Sequence, residues 1–135
     1  LARSLEIEGT QGDATLRSFM NWDDLKTNKM TFKLLNHWQK LGQFRKNHPA
    51  IGAGVHKQIA ATPYTFSRYF SNGNFTDQVV VALDVNLGTK EIPVGTIFAE
   101  GTLLRDAYSN QEAKVTNGKV TINSNFTFVL LEAKK

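Results

Sequence analysis

The chain has no cysteine among its 135 residues. Disulfides, thiolate nucleophiles and cysteine-ligated metal centres are therefore excluded together. Proline is scarce as well, at 3 residues, and with 41% hydrophobic and 21% charged residues the composition is that of a folded chain and not of a disordered or fibrous one. No apolar run approaches the roughly 20 residues of a membrane span, so no membrane partner is expected. The chain opens at Leu1-Ala2-Arg3 without an initiator Met or a charged-then-apolar leader, which suggests a processed protein or a cut fragment. Its length suits one main core and is short for a self-contained enzyme barrel.

Chemistry-bearing clusters are also sparse. The histidines stand apart at His37, His48 and His56, without the two-on-one-face spacing of a helical zinc site, and no acidic run has calcium-loop spacing. No metal and no cofactor are expected. His48, directly before Pro49, reads as a capping or packing residue more readily than as a catalytic base. Gly9 to Gly12 and Gly52 to Gly54 do not sit between a strand and a helix with a phosphate-binding lysine, so they read as bends. Asp84 and Asp106 follow apolar stretches and read as turn formers.

The net charge of +4 is unevenly held. Residues 1–59 carry nine Lys/Arg against five Asp/Glu, whereas 60–135 carry seven of each. Most of the excess lies in and around one helical segment, where a solvated face and cations near the C-terminal end of a helix dipole explain it. Nucleic acid would require a tighter patch with interleaved stacking aromatics, so no nucleic-acid partner is expected.

Residues 1–24 lack a sustained period and read as a loop arm. From Met30 to Lys46 the spacing of Leu34, Leu35, Trp38 and Leu41 predicts an amphipathic helix, with Asn28 as its N-cap and Asn47-His48-Pro49 as its stop. Such a stripe needs a covering surface, and where none is supplied it favours a homo-oligomer. From Thr62 onward short alternating or apolar runs separated by turn residues predict six to eight antiparallel strands in a two-layer sandwich. Asn117-Gly118 predicts a type I′ hairpin turn. Tyr64, Phe66, Tyr69 and Phe70 occupy both parities of one strand, so some of these rings must face outward. Phe126 and Phe128 share a parity and are expected in the core.

The order Gly12-Asp13-Ala-Thr-Leu-Arg17-Ser-Phe-Met20-Asn-Trp22 resembles the stretch after the eighth barrel strand of α-amylase-family (family 13) glycoside hydrolases. Trp38-Gln-Lys-Leu-Gly-Gln-Phe-Arg45-Lys46-Asn47-His48-Pro49-Ala50-Ile51 is similar to the last barrel helix and its exit. The later strands resemble the family's C-terminal domain in layout.

The resemblance implies a mainly β chain: an antiparallel β-sandwich of the glycoside hydrolase C-terminal type, preceded by a loop arm and one amphipathic α-helix. It implies a barrel remnant over 1–59 and a sandwich domain over 60–135. The family's catalytic carboxylates would precede Leu1, so the resemblance implies no catalytic residue here. Asp13 and Arg17 would be substrate-proximal in the intact parent. The implied function is that of a non-catalytic C-terminal part of an enzyme acting on α-glucans such as starch and maltooligosaccharides, supporting a (β/α)8 barrel that is its partner. The alternative is a carbohydrate-binding module that uses surface aromatics of the sandwich. A bacterial periplasmic or extracellular location is implied for the parent.

Overall fold

The computed structural model describes residues 22–134. The chain divides into two compact units, Leu1–Leu41 and Gly42–Lys135. A short helix α1 (Asp24–Thr27) lies in the first, and α2 (Lys29–Asn47) has residues in both. Asn28 caps α2 as expected, its Oδ1 accepting the Met30 and Thr31 amides at 3.0 and 3.3 Å. Up to Leu41 no described side chain of the helix is buried: Leu34, Leu35 and Leu41 are half-exposed, and Trp38 is 61% exposed.

Helix formation does not end for good at Pro49. Its ring occupies the first position of a further helix, α3 (Pro49–Ala53), where the absent N–H costs nothing. The expected amphipathic helix is α2, and among the described residues the short helices α1 and α3 flank it.

Eight strands follow: β1 (Val55–Ala60), β2 (Thr65–Asn72), β3 (Phe75–Leu83), β4 (Gly88–Pro93), β5 (Leu103–Asp106), β6 (Glu112–Lys114), β7 (Lys119–Ser124) and β8 (Phe128–Ala133). β1 begins ahead of the Thr62 start expected from the pattern. As an edge strand it is mostly exposed on both faces, so it lacks the apolar alternation that marks an inner strand. Six strands form one sheet in the order β1-β2-β3-β8-β5-β6, and β4 pairs with β7 in a second. All the pairings are antiparallel.

The main core lies between the sheets. Val80, Ala82, Leu104, Val129 and Leu131 of the large sheet meet Ile92, Val120 and Ile122 of the small one. Each such Val, Leu or Ile contributes roughly 1.5–3 kcal/mol by leaving water. β7 shows the strict alternation of a strand with one wet face. β3 differs, with Val79 through Ala82 all buried, because α3 packs over its other face. Phe126 and Phe128, expected in the core, are instead half-buried outside the main cluster, where both pack with the ring of Tyr108.

The Asn117-Gly118 turn is realised, with φ of 52° and 69° and Thr116 and Lys119 exchanging both backbone hydrogen bonds. Asp84 and Asp106 are turn residues as read. Asp84 adopts φ 56°, and the fully buried Asp106 carboxylate accepts the amides of Tyr108, Ser109 and Leu130.

Candidate functional site

The strongest convergence of polar side chains lies on the outer face of the large sheet, under the α2–α3 junction. Strand parity places Arg68, Asp77, Arg105 and Glu132 on this face. His48 enters from the junction. Its φ of −123° interrupts the helix, and its ring lies 4.7 Å, centroid to centroid, from that of Phe44.

The two ring nitrogens of His48 each meet a carboxylate. Nδ1 lies 2.8 Å from Asp77 Oδ1 and Nε2 lies 2.5 Å from Glu132 Oε2. Each contact has a hydrogen only when the ring carries both N–H groups or one acid keeps its proton. Arg105 donates from Nε to Glu132 Oε1 at 2.9 Å and from its terminal nitrogen to the same oxygen. The Ala50 amide donates to Asp77 Oδ2 at 2.9 Å. Arg68 donates to the Ala50 and Ile51 carbonyls, both at 3.1 Å. The result is a clasp: two carboxylates and two guanidinium groups of the sheet hold the first turn of α3.

Burial opposes ionisation of Glu132, but hydrogen bonds from His48 and Arg105, with the guanidinium charge, outweigh it and hold the carboxyl below its usual range. An ionised Glu132 serves as an acceptor here and not as a proton donor. A cleft of about 480 Å³ opens beside the clasp, lined by residues including Asn47, Arg105, Glu112 and Lys134.

Other residues singled out from the sequence are placed separately. Asp13 and Arg17 lie outside the described residues. The His37 ring packs edge-on against Trp38, and His56 lies on β1. Gly52 and Gly54 belong to α3 and its C-terminal cap, not to a phosphate loop. Among the described residues no group of three or more His, Cys, Asp or Glu is placed to hold a metal ion, and no helix is long and apolar enough to cross a membrane. Asp77, Glu132, Arg68 and Arg105 escaped the sequence reading, because contacts 29 and 84 positions away from His48 have no local spacing.

No family model matches the chain. The periplasmic alpha-amylase of Escherichia coli K12 is 53% identical to it over 48 residues, which are 36% of this chain and 6% of that protein. An Anoxybacillus alpha-amylase, described as a new glycosyl hydrolase subclass, superposes with a TM-score of 0.61 at 20% identity, covering 91% of this chain and 26% of that one. The chain is thus similar in sequence to a stretch of one α-amylase and in fold to part of another. AmyP in complex with maltotriose is similar to the same extent, with a TM-score of 0.59 at 18% identity over 93% of this chain and 28% of AmyP. The chain therefore spans only about a quarter of the solved structures it matches, and far less of the E. coli protein. Within it, the antiparallel two-sheet fold expected from the sequence is present.

Proposed function

We propose that this chain is the non-catalytic C-terminal portion of a glycoside hydrolase acting on α-glucans, and that its sandwich stabilises the parent's (β/α)8 barrel. The organisation that goes with this reading is a barrel end over 1–59 and a sandwich over 60–135, with β1 at the junction. Asp13 and Arg17 would line the substrate cleft of the parent. A periplasmic or extracellular location goes with this reading and is supported by the similarity to the periplasmic E. coli relative.

The observation that carries this reading is the clasp. The segment leaving the long helix α2 is fixed to the sheet by charged and hydrogen-bonded groups at both ends of one imidazole, a device suited to transmitting stability from a sandwich to whatever the helix belongs to. The clasp acids do not suit catalysis. Retaining or inverting glycosidases need one carboxyl kept protonated as the acid, opposite a second that is free to attack or to activate water. Glu132 is held ionised, and both it and Asp77 are occupied by donors of this chain.

Two measurements test this reading. The purified chain, assayed with a chromogenic maltooligosaccharide beside an Asp13→Ala control, is expected to show no turnover. Turnover that scales with chain concentration and disappears in D13A would refute the non-catalytic assignment. In the chain joined to its catalytic barrel, His48→Ala is expected to shorten the half-life of heat inactivation while leaving kcat/KM unchanged. An unaltered half-life would refute the stabilising role.

A further inference from the structure

Glycine follows asparagine at two places in the chain, Asn72-Gly73 and Asn117-Gly118, and both pairs stand at hairpin turns. The pairing has a chemical consequence. The amide nitrogen after an asparagine can attack the asparagine side-chain carbonyl, and glycine puts no side chain in the way and leaves the backbone free to bring the two groups together. Whether this happens in a folded chain depends on how firmly that nitrogen and its turn are held. The two turns differ on both counts.

Asn117-Gly118 is fastened from several sides. Glu100 accepts the Asn117 amide on Oε1 at 2.8 Å and the Gly118 amide on Oε2 at 3.3 Å, so the nitrogen that would attack is held by a carboxylate. That negative charge also opposes loss of the Gly118 amide proton. The Gly118 carbonyl in turn accepts the Val94 and Gly95 amides at 2.9 and 3.1 Å. At Asn72-Gly73 such restraints are absent among the described residues. Asn72 pairs with Phe75, which leaves Gly73 and Asn74 as the loop, and the Gly73 amide donates to no described group. A Cβ on Gly73 would meet nothing within 4 Å, and residues 71–76 are all exposed. The tip also extends past its neighbours: pairing with β1 reaches only Tyr69 and pairing with β8 only Val80. It is held by its own two-stranded ladder alone, so it opens locally at little cost.

We propose that Asn72 is a site of spontaneous deamidation in the folded chain, and that Glu100 protects Asn117 from the same reaction. Hydroxide removes the Gly73 amide proton, and the nitrogen attacks Cγ of Asn72. The new N–C bond closes a cyclic imide as the Cγ–Nδ2 bond breaks, and ammonia leaves with a proton from water, which restores the hydroxide. Water then opens the imide at either carbonyl. One opening gives aspartate with the main chain as before; the other gives isoaspartate, with the main chain rerouted through the side-chain carbons. Either product replaces a neutral amide by a carboxylate at the hairpin tip and lowers the net charge of +4 by one. Isoaspartate also adds a methylene to the main chain just before the turn, so the Asn72–Phe75 rung loses its register.

The test is peptide mapping by mass spectrometry of the full chain, incubated at mildly alkaline pH in native buffer and, in parallel, in urea. In the native sample the peptide holding Asn72 is expected to gain the mass of an amide-to-acid conversion and to separate into aspartate and isoaspartate forms. The ratio of native to urea rates cancels the influence of flanking residues. That ratio should be about tenfold smaller at Asn117 than at Asn72, the factor that one hydrogen bond to a charged acceptor supplies. Asn72→Ala should remove most of the native mass gain, and Glu100→Ala should raise the Asn117 rate toward that of Asn72 while leaving the Asn72 rate unchanged. Glu100→Gln, which keeps an oxygen acceptor without the charge, should fall between E100A and wild type. Conversion of Asn72 in urea but not in the native chain overturns the proposal, as do equal ratios at the two sites, and both results are read from wild type alone. A native Asn117 as slow in E100A as in wild type overturns the protective role of Glu100.

Discussion

His48 and Glu132 stand 84 positions apart in the chain and 2.5 Å apart at Nε2 and Oε2. The contact closes a line of donors and acceptors from Arg105 through Glu132, His48 and Asp77 to the Ala50 amide. It joins the α2–α3 junction to β3 and β8, central neighbours in the large sheet. Such a line is all or nothing: removing one member strands buried groups on either side, at about 1–3 kcal/mol each.

The ionisation of Glu132 gives the clasp a pH dependence of definite sign. The folded chain holds this carboxyl below its usual value of 4.5, so ionised Glu132 favours the folded state. That contribution is complete above the unfolded value and is lost as pH falls through the lower folded value. Glu132→Gln removes the ionisable group while keeping its shape. The stability gap between wild type and E132Q, measured by urea unfolding, should be widest near neutral pH and should narrow below about pH 4.5. A gap independent of pH would show that the charge of Glu132 does not act through the clasp.

The two glycines of α3 are predicted to respond oppositely to alanine. A Cβ on Gly54 would lie 2.5 Å from the Ala50 carbonyl oxygen and 2.7 Å from that of Tyr69, both backbone atoms, so the helix exit or β2 would have to move. Overpacking of this kind costs about 1–3 kcal/mol or more. A Cβ on Gly52 meets nothing within 4 Å, and in a helix it restricts the unfolded chain, gaining roughly 0.5–1 kcal/mol. Thermal melts of Gly54→Ala and Gly52→Ala should shift down and up respectively. A harmless G54A would mean that the junction is not pressed against β2.

What the sequence made legible was what local spacing encodes. The α2 periodicity, its Asn28 cap, the Asn117-Gly118 turn and the alternation of β7 each depend on residues a few positions apart. The β1 edge strand was not legible, because with both faces wet Val55 to Gln58 carry no pattern. Phe44 and Trp38 show the limit of a helical stripe. Both are large and apolar, yet Phe44 is buried by the groups around His48 while Trp38 is exposed, and only the fold distinguishes them. The clasp depends on strand register, which sequence spacing does not reveal.

Lys90 offers the sharpest separation of charge from packing. It projects from β4 between the sheets, only 6% exposed, and its ammonium donates to the Ser124 carbonyl at 2.6 Å, the Ser124 hydroxyl at 3.0 Å and the Phe126 carbonyl at 2.9 Å. Its three N–H groups thus hold the β7–β8 turn in place. Burial nevertheless lowers its pKa from the usual 10.5, and the attraction of Asp106 only partly opposes this. The folded state therefore binds this proton less tightly than the unfolded chain does, and between the lowered value and 10.5 stability rises with pH. Lys90→Met keeps most of the volume and removes both the charge and the donors; Lys90→Ala removes the volume as well. K90A should be less stable than K90M by about 1–3 kcal/mol, the cost of the vacated methylenes. The stability of wild type relative to K90M should increase as pH is raised from neutrality toward 10.5, where the neutral amine still donates to the turn. Urea unfolding of the three proteins across that range measures both effects, and a wild-type advantage that shrinks with rising pH would mean that the buried ammonium stabilises this core through its charge and not through its hydrogen bonds.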